Sequence, residues 1–528
     1  MVHIELTHQA GYRWFVVQNI SVKGYLFDEE NNFYRDGELF HYFKDVISLK
    51  EFEAKLVTAN GCFSVVIDTK DNVLCACDRV RSFPLFYGIT DDKTVLSDNA
   101  YRIAEQLNCK EFDPLNEKEF LMTGYVTGNE TLFHGLKQIQ AGECLSVSKE
   151  RNIISSVDYY KFKHDELSAD TEDELIKRLD VVHEVVFQRL IRSLNGRQAV
   201  IPLSGGQDSR LIAFFLKRLG YTNIICFTYG TPGNKESEVS RLIADQLGFK
   251  WHFIPYTKRL WRQWGSSVEF RKYMNFASNL NSIGHIQDFP AVMQLKANKI
   301  IEDDAIFIPG HSGDFIAGSH IPNNFMSQEV VSNQILFNEI YNKHYSLWSM
   351  PDRDKKKFFD KRVANCLNYL KEYPSTEAAA DLFEFWDWRE RQAKFIVNSV
   401  RVYDYFDYEW RLPLWDQMLM QYWSHIPVTY RYQRKLYFLY ANRELTDFVK
   451  YDIRLSAPLS QLRRIIKNIF FYDSLRDLNN FFNNIFADKA FFGLINKRDL
   501  LRYIFLKMSN INSFLAKKYI NKVFLNRS

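Results

Sequence analysis

The run Ser204-Gly205-Gly206-Gln207-Asp208-Ser209 brings together two hydroxyls, one carboxylate and two residues without side chains. Glycines let backbone N–H groups come close to an anion, because no Cβ intervenes. The run follows a short apolar stretch, Ala199-Val200-Ile201-Pro202-Leu203, which is too short for a helix and reads as a buried strand. From Asp208 onward Leu211, Ile212, Phe215, Leu216 and Leu219 fall on one helical face, and Gly220 ends the pattern. A strand, a glycine turn and a helix N-terminus together aim N–H groups at an anion. The string G-x-x-x-x-G-K-S/T is absent and no lysine follows the glycines, so this is not the usual nucleotide loop. Asp208 on such a loop repels a phosphate unless a cation lies between them, which implies Mg2+.

This hexapeptide resembles the SGGxDS loop of the ATP pyrophosphatase superfamily. The resemblance implies that the loop holds the β,γ-phosphates and that ATP is cleaved at the α-phosphorus to AMP and pyrophosphate. It makes Leu203, Ser204, Gly205, Gly206, Gln207, Asp208 and Ser209 the expected ATP contacts, with adenine against Phe227 and Thr228, largely through backbone groups. Further on, Ala305 to Ser319 (AIFIPGHSGDFIAGS) resembles the S-G-E-G-A-D-E-L-F-G-G segment of the asparagine synthetase family. Gly310 and Asp314 then match a glycine and a metal-binding aspartate, so Asp208 and Asp314 would form a two-carboxylate Mg2+ clamp; a plain helix N-cap is the other reading of Asp314. His311 stands where the family has a glutamate, and Phe315 where it has a second acid. A neutral imidazole can take a proton from an incoming amine, or merely hydrogen-bond a different substrate. Arg411-x-Pro413-x-x-Asp416 resembles the family's R-x-P-F-L-D, and Lys435 matches a lysine that neutralises phosphate charge; a surface amphipathic lysine is the alternative. Asp208, Asp314, His311 and Lys435 are therefore the expected catalytic set. In the polar stretch Asn275–Pro290, Ser282, His285, Gln287 and Asp288 are candidates for orienting a substrate, with a solvated loop as the other reading, and Arg389 and Arg391 either contact an anionic substrate or close ion pairs.

The elements that must position these groups read as α/β. A helix over Glu172–Ser193 leads into the loop strand. A strand Asn223–Tyr229, a turn at Gly230–Gly233, a helix Glu236–Leu247 and a strand Trp251–Pro255 follow, and Ala305–Ile308 reads as one more core strand. The alternation predicts a doubly wound parallel sheet, with ligands beyond the carboxyl ends of its strands, where Ser204 and Phe227–Gly230 lie. Residues 1–155 are β-rich, with strands expected at Arg13–Asn19, Gly61–Asp68, Asn72–Asp78 and Pro84–Tyr87 and a hairpin connection over Asp68–Asn72. The segments Cys75–Gly88 and Gly124–Val147 resemble the glutaminase domain of asparagine synthetase, which implies an Ntn-hydrolase-like α+β unit. In that family the residue after the initiator methionine is a nucleophilic cysteine. Position 2 is Val2 and the first cysteine is Cys62, so glutamine hydrolysis is expected to be absent. The division expected is 1–155, 156–460 and a basic helical region 461–528.

At 528 residues the chain exceeds a single core. With 46% hydrophobic and 25% charged residues it has the composition of a soluble globular protein. No run of eighteen apolar residues and no signal-peptide pattern occurs. Seven cysteines without C-x-x-C spacing argue against disulfides or a zinc site, and Cys75 and Cys77 read as buried hydrophobes. A cytoplasmic location is expected. From Arg463 to Ser528 thirteen Lys and Arg stand against four acids; this tail reads as a bundle packed on the synthetase domain, or as a peripheral membrane-surface patch.

The resemblance implies an amidoligase that adenylates a carboxylate and transfers ammonia or another amine, with ATP and Mg2+ as cofactors. The acid would be a small molecule or a sugar acid of a surface polysaccharide, the ammonia source a separate glutaminase, and the chain a homodimer. A nucleotide-binding sensor and an RNA-modifying pyrophosphatase are the alternatives. No nucleic-acid module accompanies the basic tail, so nucleic acid is not an expected partner.

Overall fold

The computed structural model describes residues 2–90, 93–151, 153–348, 352–367, 375–444, 493–495 and 511–521. Its centre is a five-stranded, all-parallel sheet in the spatial order Lys250–Pro255, Ile224–Gly230, Ala199–Pro202, Ile306–Phe307, Glu409–Trp410. The chain builds the sheet outward on one side, then crosses back to start the other side at Ile306. The strand order therefore reverses between Ala199–Pro202 and Ile306–Phe307, and open α/β sheets take ligands at such a switch point. The expected core strands are present, and Glu409–Trp410 adds a fifth that its two-residue length hides.

The helix Glu172–Leu194 starts on a capping box, Thr171 accepting from the Glu174 N–H while Glu174 reaches back. Leu175, Leu179, Val182, Val186 and Leu190 fall on its buried face, as the spacing requires. The loop helix spans Gln207–Arg218 and has no side-chain cap, which leaves its first N–H groups available.

Residues 2–158 form two sheets. Four strands run in the order Val2–Glu5, Thr94–Ser97, Phe86–Ile89, Leu136–Gln138. The larger sheet has seven strands, centred on Ile20–Phe27, Asn60–Asp68, Asn72–Cys77 and Glu143–Ser148. Val66, Cys75 and Cys77 pack with Tyr87 and Leu96 between the sheets. Their neighbours Val65, Leu74 and Ala76 face the opposite way, against Phe43, Phe52 and Leu56 of two helices. This period-two split, together with Val95, Ile103 and Ala100 on the far side of the smaller sheet, gives a helix–sheet–sheet–helix stack. The hairpin expected at Asp68–Asn72 closes by Thr69 N–H donating to the Asn72 carbonyl, 2.9 Å. The strand expected at Arg13–Asn19 is shorter, Phe15–Val17, and turns directly into Ile20–Phe27.

Most of the basic region 461–528 lies outside the described residues. Its described helix, Ile511–Ile520, packs on Pro114–Thr123 of the amino-terminal half, where Tyr519 stacks on Phe120 at 5.5 Å. It also meets residues of the expected 156–460 unit: the Tyr519 hydroxyl accepts from the Leu280 N–H, Trp348 Nε1 donates to the Ser513 carbonyl at 2.9 Å, and Ser513 Oγ donates to the Leu347 carbonyl at 2.7 Å.

Arg411 joins the two halves. It is 1% exposed, and its guanidinium donates to the Tyr12 hydroxyl, to Ser193 Oγ and carbonyl, and to Glu409 Oε2 at 3.1 Å. Asp416, five residues on, pairs with Arg189 at 2.9 Å and accepts from Asn60 at 2.9 Å. The Arg411–Asp416 motif thus builds the junction. Burial would raise the Glu409 carboxyl, but Arg411, Arg197 and Arg35 outweigh it and hold the group at about 2. Since that lies below the unfolded value of about 4.3, Glu409 contributes stability that is whole above that value and lost as pH falls toward 2. Arg411→Ala is expected to lower unfolding free energy by about 3–5 kcal/mol, since it leaves Glu409 buried with fewer partners. Denaturant titrations at pH 7 and pH 3 check both statements: the mutational loss shrinks at the lower pH.

Candidate active site

Two glycine-bearing loops meet at the switch point. The first follows Ala199–Pro202. Its own hydroxyls brace it: Ser204 N–H donates to Ser209 Oγ at 3.0 Å, and Gly206 N–H donates to Ser204 Oγ at 3.1 Å. A Cβ on Gly205 would come no nearer than 3.7 Å to any neighbour, so no internal contact demands this glycine. The second loop follows Ile306–Phe307, and there the glycines answer to internal packing. A Cβ on Gly310 would lie 3.0 Å from the Ser209 nitrogen, and one on Gly313 would lie 2.9 Å from Leu414 Cδ1 and 3.0 Å from Asp208 Oδ1.

That close approach puts two carboxylates together. Asp314 N–H donates to Asp208 Oδ2 at 3.0 Å, the Tyr437 hydroxyl donates to Asp208 Oδ1 at 2.9 Å, and Ser319 Oγ donates to Asp314 Oδ2 at 3.1 Å. Burial first, and then the facing charge of Asp314, raise Asp208 to about 7 against the relief from those donors and Arg434. Asp314 lies inside the short helix Gly313–Ile316, whose cap position is Ser312, so it is not an N-cap. No third His, Cys, Asp or Glu joins the pair among the described residues. Two carboxylates, with phosphate oxygens and waters completing the shell, is the donor set Mg2+ takes. The residues therefore fit that ion.

Over the loops lies a cavity of about 310 Å3. Ser204, Gly206, Gln207, Asp208, Ser209, Gly310, His311, Asp314 and Asp288 line it, together with Pro202, Tyr229, Pro309 and Arg434. Several expected residues stand elsewhere. Leu203 is buried, and neither it nor Gly205 lines the cavity. Phe227 is 1% exposed and meets Phe307 edge-on, while Thr228 hydrogen-bonds the Leu203 carbonyl and Ser240, so both side chains belong to the core. Lys435 is half exposed and pairs with Glu172 at 3.4 Å; the cation lining the cavity is its neighbour Arg434. Gln433 and Arg434 both adopt left-handed backbone, with φ of 54° and 60°, and this turn exchanges the directions of adjacent side chains. Phe315 is fully buried against Phe162 and Trp415 and does not shape the cavity. Ser282 is buried in a β-bridge with Tyr125. Arg389 closes an ion pair with Asp158. Arg434, Tyr437 and Tyr229 were missed by the sequence reading: no spacing signal sets them apart from neighbouring aromatic and basic residues.

A second cavity, of about 260 Å3, shares Tyr229, Asp288 and His311 with the first. His285, Gln287, Ile396, Ser399 and Val402 complete it. The helix starting at Thr376 passes through a π-helical segment, Trp388–Ile396, and a 3-10 turn, Val397–Val400, and so delivers Ile396, Ser399 and Val402 to one wall. Asp288 accepts from the hydroxyls of Tyr229 and Tyr403. His311 lies 3.3 Å from Ser399 Oγ. Burial lowers His311 below the ordinary imidazole value despite Asp288 and Asp314, and burial, His311 and Arg391 bring His285 down to about 3. Both rings are therefore neutral at pH 7.

A parallel sheet with a glycine loop and a carboxylate pair at its switch point defines an α/β protein with a ligand site beyond its strand ends. Residues 192–262 match the family model for asparagine synthase. A probable asparagine synthetase of the glutamine-hydrolysing type, from Acanthamoeba polyphaga mimivirus, is 25% identical over 222 residues, 40% of this chain and 38% of that protein. A 7-cyano-7-deazaguanine synthase from Staphylococcus saprophyticus is 34% identical over 64 residues, 12% of this chain and 29% of that protein. The chain thus spans well under half the length of these curated relatives. Among solved structures, a glutamine phosphoribosylpyrophosphate amidotransferase from B. subtilis in complex with ADP and GMP aligns over 56% of this chain and 63% of its own, at 10% identity and a TM-score of 0.18. Among the described residues no helix is long and apolar enough to cross a membrane.

Arg434→Ala is expected to weaken Mg2+–ATP binding at least tenfold, because the cavity's cation is lost, whereas Lys435→Ala changes it less than twofold. Nucleotide titration of the two variants side by side distinguishes the positions.

Proposed function

We propose that this protein is an ATP-dependent ligase that joins a carboxylate to an amine, releasing AMP and pyrophosphate. The observation that carries the reading is the half-buried Asp208–Asp314 pair beside the braced glycine loop. Two facing carboxylates are stable together once a divalent cation and its polyphosphate occupy the space between them. When bound, Mg2+ offsets the charge of the departing pyrophosphate. The free N–H groups at the start of Gln207–Arg218 and the Arg434 guanidinium bind phosphate oxygens from the protein side. The carboxylate substrate attacks the α-phosphorus, and the resulting acyl-adenylate supplies the leaving group that a free carboxylate lacks. His311, neutral and set between the two cavities, takes the proton that the amine loses as it attacks.

The reading includes no glutaminase chemistry in the amino-terminal half, so nitrogen arrives as free amine or from a separate glutaminase. Val2 lies in the strand Val2–Glu5 and carries no nucleophile. The seven cysteines are buried or half-buried, and burial pushes the Cys62 thiol well up. The polar cavity beside this strand, lined by His8, Lys23, Asp98 and Arg401, holds about 20 Å3, room for a water and not for glutamine. The acid is left open by the cavity lining; a sugar uronic acid is one class that fits a polar site.

ATP–pyrophosphate exchange screened over carboxylic acids tests the proposal. Exchange is expected with a subset of acids, and Asp208→Asn or Asp314→Asn is expected to reduce it at least a hundredfold. Exchange that survives both substitutions overturns the reading. Incubation with glutamine is expected to release no glutamate.

A further inference from the structure

The second cavity behind His311 has a composition that selects its occupant. This inference rests on the ligase reading and concerns which amine that reaction uses. Asp288 is the acid on the cavity's wall, and among the described residues no Lys or Arg lines it. Arg391 acts on His285 through space but is not part of the lining. Asp288 forms no ion pair among the described residues; it accepts one hydroxyl on each oxygen, from Tyr229 and Tyr403, at 2.5 and 2.7 Å. A carboxylate has about four acceptor positions, so roughly two remain for a ligand. His285 Nε2 is buried without a hydrogen-bond partner, a second group left waiting for one. Ile396 and Val402 make the rest of the wall apolar.

We propose that this compartment binds an organic primary amine, held as its ammonium on Asp288, and that this amine is the nucleophile of the reaction. Size argues against ammonia: a single water or ammonia accounts for roughly 30 Å3, and the cavity offers about 260 Å3. Charge argues against an amino acid, because a second carboxylate would face Asp288 with no cation on the lining to offset it. The amine's carbon chain lies along Ile396 and Val402, and a hydroxyl on it would satisfy His285 Nε2. Before attack the ammonium bound on Asp288 gives one proton to solvent. The nitrogen then forms a bond to the acyl carbon, the carbon–oxygen bond to AMP breaks with its electron pair leaving on AMP, and the second proton passes to His311 and on to water. Products are the amide, AMP and two protons.

The test titrates the full chain, with Mg2+ and α,β-methylene-ATP bound, with n-butylamine, ammonium chloride, 4-aminobutyrate and butyrate by calorimetry. Butylamine is expected to bind at least tenfold more tightly than each of the other three. Asp288→Asn is expected to weaken butylamine tenfold or more. Val402→Phe, which fills the compartment and leaves Asp288 intact, is expected to exclude butylamine with nucleotide affinity unchanged. Butyrate or ammonium binding as tightly as butylamine overturns the proposal, as does undetectable amine binding or wild-type butylamine affinity in both variants. If the nucleotide itself fails to bind, the ligase reading falls and takes this inference with it; nucleotide binding without amine selectivity removes the inference alone.

Discussion

Two carboxyl groups are held close together in a half-buried corner, and the rest of the site is arranged around the desolvation and repulsion that raise Asp208 to about 7. Asp208 begins the loop helix, Asp314 sits in the turn after the next core strand, and each glycine between them removes a clash that would push the carboxylates apart. Donors from Asp314 N–H, Tyr437 and Ser319 satisfy oxygens without neutralising them. Such a corner is stable when a small divalent cation and a polyanion fill it, and the adjacent N–H groups and Arg434 supply the complementary side.

The loops hold their positions because the segments behind them are cemented by buried ion pairs. Arg431, fully buried, bonds to Glu384 and Glu377. Its backbone packs so tightly on Gly318 that a Cβ there would approach its carbonyl oxygen to 2.5 Å. This couples the turn carrying Asp314 to the segment carrying Arg434 and Tyr437. A side chain three residues from Arg434 thereby fixes where the cavity's cation stands.

The amino-terminal half has a structural part in the same site. Trp388 donates to the Arg79 carbonyl, Lys394 to the carbonyls of Val126 and Gly128, and Arg401 to the Ser82 carbonyl. These three residues flank the Ile396, Ser399 and Val402 wall of the second cavity. The two-sheet stack thus serves as the mould against which an irregular helical run is pressed into shape.

Local pattern was enough to read the strand–loop–helix unit and the parallel sheet, because hydrophobic period and glycine placement act over a few residues. The pairing of Asp208 with Asp314 was legible only through the resemblance of Ala305–Ser319 to a known family segment. The two-residue strands, Ile306–Phe307 and Glu409–Trp410, were partly or wholly hidden, since pairing across the sheet and not local propensity makes them strands. Which of Arg434 and Lys435 meets the cavity was settled by two consecutive left-handed residues, a backbone turn that Gln433 and Arg434 do not announce by type. Ser282 reads as a substrate contact by position along the chain, yet its β-bridge with Tyr125 turns it inward. Chemistry-bearing residue types are written in the sequence; which way each one points is a property of neighbours hundreds of residues away, because burial is decided only when the layers close.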